Sequence, residues 1–306
     1  MVAQLAESSE AKDAVDVSLL MRRLAGDVSL KVSLGQDWRQ VENRQSCQLV
    51  DDLVARGTAD GPTRALASRL ARWGSLYTAY WSLLGSIKSG DWATASRIVR
   101  ADGTIYSSVS DFRKRCQDEN REDDPSELLS RIIIAKDPAT GHAMDFQTLC
   151  MEARGFILAA SDTTANTLTM AVNHISRSHS VWTQLNRELK EAIPSMEALQ
   201  DSLQDTSSYY TQLPFLVACI KETYRLSPAI AKLLPRQVPN GGCSLAGHHV
   251  PAGTIVGTSI FVQHRWDEVL WGPPDYADEF HPERWLQSSQ SSEAEVAKLK
   301  KMNSFL

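Results

Sequence analysis

From Asp145 to Ser178 the chain contains no proline and a single glycine, Gly155. Proline removes a helix hydrogen bond and clashes with the preceding turn, so its absence over such a run permits one helix of about 30 residues, about 45 Å long at 1.5 Å per residue. A helix of that length crosses a whole domain, and the remaining chain has to pack around it. Its middle, FILAASDTTANTL (156–168), is rich in apolar residues yet carries Asp162 and a group of threonines. Thr163, Thr164, Thr167 and Thr169 fall within seven positions, and Asp and Thr divert to local backbone hydrogen bonds that weaken a helix interior. Two readings follow. In one, the hydroxyls bond carbonyls four residues back and Asp162 is simply paired. In the other, an acid and a hydroxyl break a local rule because a site lies there.

The rest of the chain is compatible with a globular protein built on such a helix. Of its 306 residues, 42% are hydrophobic and 23% charged, which excludes disordered and fibrous classes. The formal net charge of -5 comes with no Lys/Arg block, so nucleic-acid binding and a polybasic membrane patch are not expected. Cys47, Cys116, Cys150, Cys219 and Cys243 are odd in number and scattered, without a CxxC pair. That pattern indicates reduced, structural thiols rather than a disulfide framework or zinc knuckle. No stretch approaches the 18 to 20 apolar residues that span a bilayer, and the N-terminus has no signal-peptide pattern.

From about Ala14 to Ser208 apolar residues recur three and four apart, as in VDVSLLMRRLAGDVSL (15–30) and RALASRLARWGSLYTAYWSLLGSI (64–87). CQDENREDDPSE (116–127) reads as a surface loop whose Ser126 caps a helix in ELLSRIIIAK, and DPATGH (137–142) as a turn. VWTQLNRELKEAI (181–193) is helical up to Pro194, and LPFLVACIKETYRL (213–226) ends before Ser227-Pro228. Gly, Pro and β-branched residues then dominate 235–260, predicting two or three short strands with tight turns. A short helix is expected near SEAEVAKLKKM (292–302). The expected division is about 1–228 helical, including the central helix 145–178, and about 229–306 for a small β region and meander, all within one partial domain.

Two further constellations carry charge. Glu222 and Arg225 are one turn apart in IKETYRL, hence neighbours on one face of an otherwise largely apolar helix. A pair in such a setting is buried and needs further partners. FHPERWL (280–286) places Arg284 in a proline-bracketed loop, where its planar fork could supply one.

In this order the segments resemble the cytochrome P450 family. AASDTT (159–164) is similar to its central-helix motif Ala/Gly-Gly-x-Asp/Glu-Thr-Thr/Ser. LPFLVACIKETYRLSP is similar to the helix bearing Glu-x-x-Arg, and FHPERWL to the loop closing the Glu-Arg-Arg triad. VPNGGCSLAGHHVPAGTIVGTSIFVQHR (238–265) is similar to the small β region between them. The likeness runs from about Ser126 to Leu306, and the earlier helices merely fit. Ala160 stands where the family usually has Gly. The family's haem loop, Phe-x-x-Gly-x-Arg-x-Cys-x-Gly, is expected just after KMNSFL, and none of the five cysteines has that context.

The resemblance implies a mainly α, incomplete P450 fold: an internal fragment of a fungal-type microsomal monooxygenase, lacking the N-terminal part and the Cys loop. It implies a haem–thiolate oxidoreductase in the full-length parent, fed by NADPH through a P450 reductase and acting on a small apolar substrate. It also implies an endoplasmic reticulum location through a missing N-terminal anchor, with the fragment itself soluble and inactive. By the same resemblance Asp162 relays protons and Thr163 presents its hydroxyl to the oxygen being activated. Ala159, Ala160 and Arg236 contact haem, the last through a propionate. Glu222, Arg225 and Arg284 form a structural triad, and Phe156, Ile230, Ala231 and Leu233 line the substrate pocket. A truncated or degenerate non-enzymatic product is the main alternative. A terpene cyclase using DDPSE (123–127) for magnesium is a remote one, opposed by Pro125, the missing second metal motif and the β-rich region. His174, His179, His248 and His249 lack the spacing of a metal site and read as surface residues.

Overall fold

The computed structural model describes residues 14–45, 48–58, 90–118, 128–195, 198, 209–288 and 290–306. The 64–87 helix, Ser126, the 123–127 acidic segment and Cys47 lie outside them. The chain groups into two compact units, Met1–Asn166 and Thr167–Leu306, and each is described by itself.

The first unit is helical among its described residues. Asp16 caps α1 (Val17–Leu34) by accepting the Leu19 N–H at 3.0 Å, and Gly35, at φ 64°, closes it in the left-handed conformation that lacks a steric penalty only for glycine. Asp27, inside α1, accepts the Gln40 and Val41 N–H groups at 2.9 and 3.0 Å, folding the following loop back on the helix. α2 (Gln48–Thr58) lies along α3 (Gly90–Asp118), where the buried Asp52 carboxylate accepts from Arg97 at 3.0 Å and from Arg100 at 2.6 Å. α4 (Leu128–Ile134) follows, and a turn at 138–140 is closed by a Lys136–Ala143 bridge. Leu30, Leu53, Ile105, Phe112, Leu129 and Ile157 anchor the core.

The long helix is α5 (Phe146–Arg177), 32 residues, within one residue of each predicted end. Asp145 starts it by accepting both the N–H and the hydroxyl of Thr148, at 3.0 and 2.6 Å. Those bonds hold the Asp145 carboxyl below its ordinary pKa. The boundary between the two units falls within α5.

The second unit continues with α6 (His179–Ala192), α7 (Tyr209–Gln212) and α8 (Pro214–Leu226). Leu213, the residue preceding α8, has no side-chain acceptor, so the cap comes from another helix: Glu188 of α6 accepts the Phe215 and Leu216 N–H groups at 2.7 and 2.8 Å. The β region holds four short strands rather than two or three. β1 (Arg236–Gln237) pairs antiparallel with β4 (Ile255–Val256), enclosing the β2 (Cys243–Leu245) and β3 (His248–Val250) hairpin. Two-residue strands carry no alternation, so their number was not readable. α9 (Ile260–Trp266), α10 (Glu268–Trp271), α11 (Pro274–Ala277), a 3-10 turn (Pro282–Trp285) and α12 (Glu293–Asn303) complete the unit. Ala218, Leu270, Trp271, Trp285 and Met302 form its main apolar cluster. Among the described residues no helix is long and apolar enough to cross a membrane.

Candidate functional site

Glu222 sits on the inner face of α8 with no solvent exposure, and its carboxylate is a hub for N–H donors. Arg225, one turn on, donates Nε to Oε2 at 2.9 Å and Nη2 to Oε1 at 2.8 Å. From the segment some sixty residues later come Arg284 Nε at 3.0 Å and the His281 N–H at 3.0 Å, both to Oε1, and Trp285 Nε1 at 2.8 Å to Oε2. Burial drives the Glu222 pKa up, but the Arg225 hydrogen bonds, the Arg225 and Arg284 charges and the His281 N–H outweigh it and hold the carboxyl below its ordinary value.

The guanidinium groups carry one more charge than the carboxylate, and backbone carbonyls absorb the excess. Arg225 directs Nη1 to the His264 and Ala277 carbonyls at 3.0 and 2.6 Å and Nη2 also to Glu279 O at 3.1 Å. With the Glu222 bonds, every N–H of its five-donor fork is used. Arg284 donates Nη1 to Trp271 O at 2.8 Å and Nη2 to Tyr276 O at 3.2 Å, and lies over the Tyr276 ring at 4.6 Å. The predicted Glu222, Arg225 and Arg284 are thus in contact. Trp285 and the His281 N–H were not anticipated, although FHPERWL contains both. An indole beside a buried carboxylate is a donor that needs a partner, and that was the available signal.

The other candidates lie in two separate groups. In the first unit, Ile157, Ser161 and Ala165 of α5 are buried, while Ala159, Ala160 and Thr164 are exposed and Phe156, Asp162 and Thr163 half-buried. Thr163 donates its hydroxyl proton to Ala159 O at 2.8 Å. In the second unit, Ile230, Ala231 and Leu233 are exposed, with Ile230 at 54% and Leu233 at 53%. The Ala231 carbonyl accepts from Ser259 Oγ at 2.9 Å. Arg236, on β1, is exposed and donates to Pro235 O at 2.9 Å.

The thiols differ in setting. Cys116, Cys150 and Cys219 are buried and Cys243 half-buried. Burial pushes the Cys150 thiol up to about 11, and the Cys219 thiol, also facing Glu188, Glu283 and Glu222, up to about 12.

These elements match a known architecture. The cytochrome P450 family profile matches residues 1–305. The chain is 32% identical over 195 residues to the cytochrome P450 monooxygenase apf7 of Gibberella fujikuroi, covering 62% of this chain and 35% of that protein. It is 34% identical over 161 residues to the benzoate 4-monooxygenase bphA of Aspergillus niger, covering 52% of this chain and 29% of that protein. The matched region therefore spans only about a third of these relatives. Among solved structures, a cytochrome P450 (CYP102L1) superposes with a TM-score of 0.64 at 17% identity, over 96% of this chain and 56% of that one. The chain belongs to the cytochrome P450 family.

Proposed function

We propose that this chain is part of a monooxygenase that inserts one oxygen atom of O2 into an apolar organic substrate, and that its 306 residues do not catalyse that reaction alone. The family match over residues 1–305 sets aside the terpene-cyclase reading.

Membership implies a haem–thiolate cofactor, which supplies oxygen activation when bound. The described thiols do not fit the ligand role. Cys150 and Cys219 are buried protonated sulfurs, Cys116 is buried, and Cys243 sits on a short β-hairpin strand. A metal-binding cysteine must present a thiolate.

The observation that carries the reading is the Asp162–Thr163 pair beside the small, exposed Ala159 and Ala160. With its own proton committed to Ala159 O, the Thr163 oxygen offers lone pairs and would accept a hydrogen bond from a water beside it. Asp162, adjacent and half-buried, takes up a proton from solvent and passes it to that water. The apolar Phe156, Ile230, Ala231 and Leu233 suit an apolar substrate, and the exposed guanidinium of Arg236 suits an anionic group such as a propionate. Glu222, Arg225 and Arg284 act structurally, tying α8 to the 3-10 turn. Electrons come from NADPH through a P450 reductase at the endoplasmic reticulum.

The test is Thr163→Ala in the complete enzyme, with product, peroxide and reductant measured together. Product per reductant should fall and peroxide rise. Unchanged coupling in a folded variant returns Thr163 to a purely helical role, with its hydroxyl serving only Ala159 O.

A further inference from the structure

We infer that Ser161 is a positioning residue, which with Ser29 locks the rotation of α5 and thereby sets where Asp162 and Thr163 point. The consequence for catalysis rests on the role proposed for that pair, whereas the lock itself does not. Ser161 has 0% and Ser29 3% of its surface exposed, and their hydroxyl oxygens are 2.6 Å apart across 132 residues of chain. Ser29 Oγ also lies 3.0 Å from Gly26 O, a group that can only accept. Its single proton is thereby spent, so Ser161 must donate to Ser29. The result is a directed chain, Ser161 to Ser29 to the Gly26 carbonyl, that ends on backbone and contains no titratable group.

Other contacts that hold α5 in the first unit, Leu149 and Ile157 in the core and the Arg154–Asp102 ion pair at 3.2 Å, all precede Ser161 along the helix. Its buried residues include Leu149, Ala153, Ile157, Ser161 and Ala165, spaced four apart on a helix that repeats every 3.6 residues, so the stripe winds around the axis. Ala153 and Ala165 present only methyl groups, which slide past neighbours with little penalty. A hydroxyl pair does not slide: turning α5 away parts two buried polar groups that have no water to replace each other. Asp162 and Thr163 follow directly along the chain, so their bearing is set by the angle at which Ser161 is held.

The experiment reads that angle directly on this chain. Single cysteines are placed at Ala160, which is exposed, and at Ala165, which is 4% exposed, and maleimide labelling rates are resolved by peptide mass spectrometry so that native thiols do not interfere. Ser29→Ala should lower the 160-to-165 rate ratio about fivefold, the population effect of one ordinary hydrogen bond. Ser29→Thr, which keeps a hydroxyl, should preserve it. The Ser29→Ala/Ser161→Ala double variant leaves no orphan hydroxyl and should show the same reduced ratio even if Ser29→Ala alone folds poorly. An unchanged ratio in Ser29→Ala or in the double variant overturns the lock, as does an equal fall in Ser29→Thr. A reduced ratio together with unchanged coupling in Thr163→Ala upholds the lock and removes only the proton role.

Discussion

Replacing Glu222 by glutamine keeps the shape of the side chain and removes the charge that five donors converge on. The amide keeps one acceptor oxygen and turns an NH2 toward N–H groups of Arg225, Arg284 or Trp285. Arg225 is 0% exposed and has no water to turn to, so its charge is left buried without a counter-ion. Breaking a buried pair in this way costs about 3 to 5 kcal/mol, against a total stability of about 5 to 15 kcal/mol for a typical domain. At about 1.4 kcal/mol per factor of ten, amides of α8 should open roughly 10²- to 4 × 10³-fold more often. Native-state hydrogen exchange on peptides covering 214–226 and 282–285 measures this. A second signature is the acid limb. Because the folded pKa of Glu222 lies below its ordinary value of 4.5, the stabilisation is fully present above that pH and is lost as pH falls below it through the folded pKa. Glu222→Gln should flatten that limb. Unchanged exchange in α8, or an acid limb as steep as that of the unaltered chain, would refute the hub as the clamp between α8 and the 3-10 turn.

Three other outcomes follow from the structure. Trp285→Phe keeps an aromatic ring but deletes one donor to the carboxylate together with buried ring volume, and with four other donors remaining should cost at least about 1.5 kcal/mol by urea titration; no loss would show the indole bond to be idle. Cys150 and Cys219 should resist iodoacetamide at pH 8 until the chain unfolds, and added haem should give no thiolate-type absorption band when reduced under carbon monoxide. Rapid native labelling contradicts the protonated, buried setting of these two thiols, and such a band overturns the reading that no cysteine of this chain serves as the haem ligand.

Some features were legible because their signals are local. The start of α5 follows from Asp145 and its unbroken length from the lack of proline, and α8 stops where Ser227-Pro228 forbids another turn. The helix over 293–303 shows its capping box, Ser292 with Glu295, within four residues. Glu222 and Arg225 are one turn apart, so their contact required only that the helix form. The β strands were less legible, since β1 pairs with β4 across an intervening hairpin.

The sequence by itself determined the helix that organises the first unit, the order of the family's motifs and the identity of the charged triad. The helix and the Glu222–Arg225 pair rest on neighbours within a few residues, where backbone geometry converts spacing into a face or a cap, whereas Arg284, 62 positions on, was joined to them only through the resemblance to the family's motifs. Only the tertiary structure decided that Trp285 and the His281 N–H join Glu222, that Glu188 caps α8 from α6, and that Ser29 holds Ser161. Those contacts link residues 27 to 132 positions apart. A donor's partner at that distance is set by which surfaces pack together, and residue spacing along the chain carries no record of it.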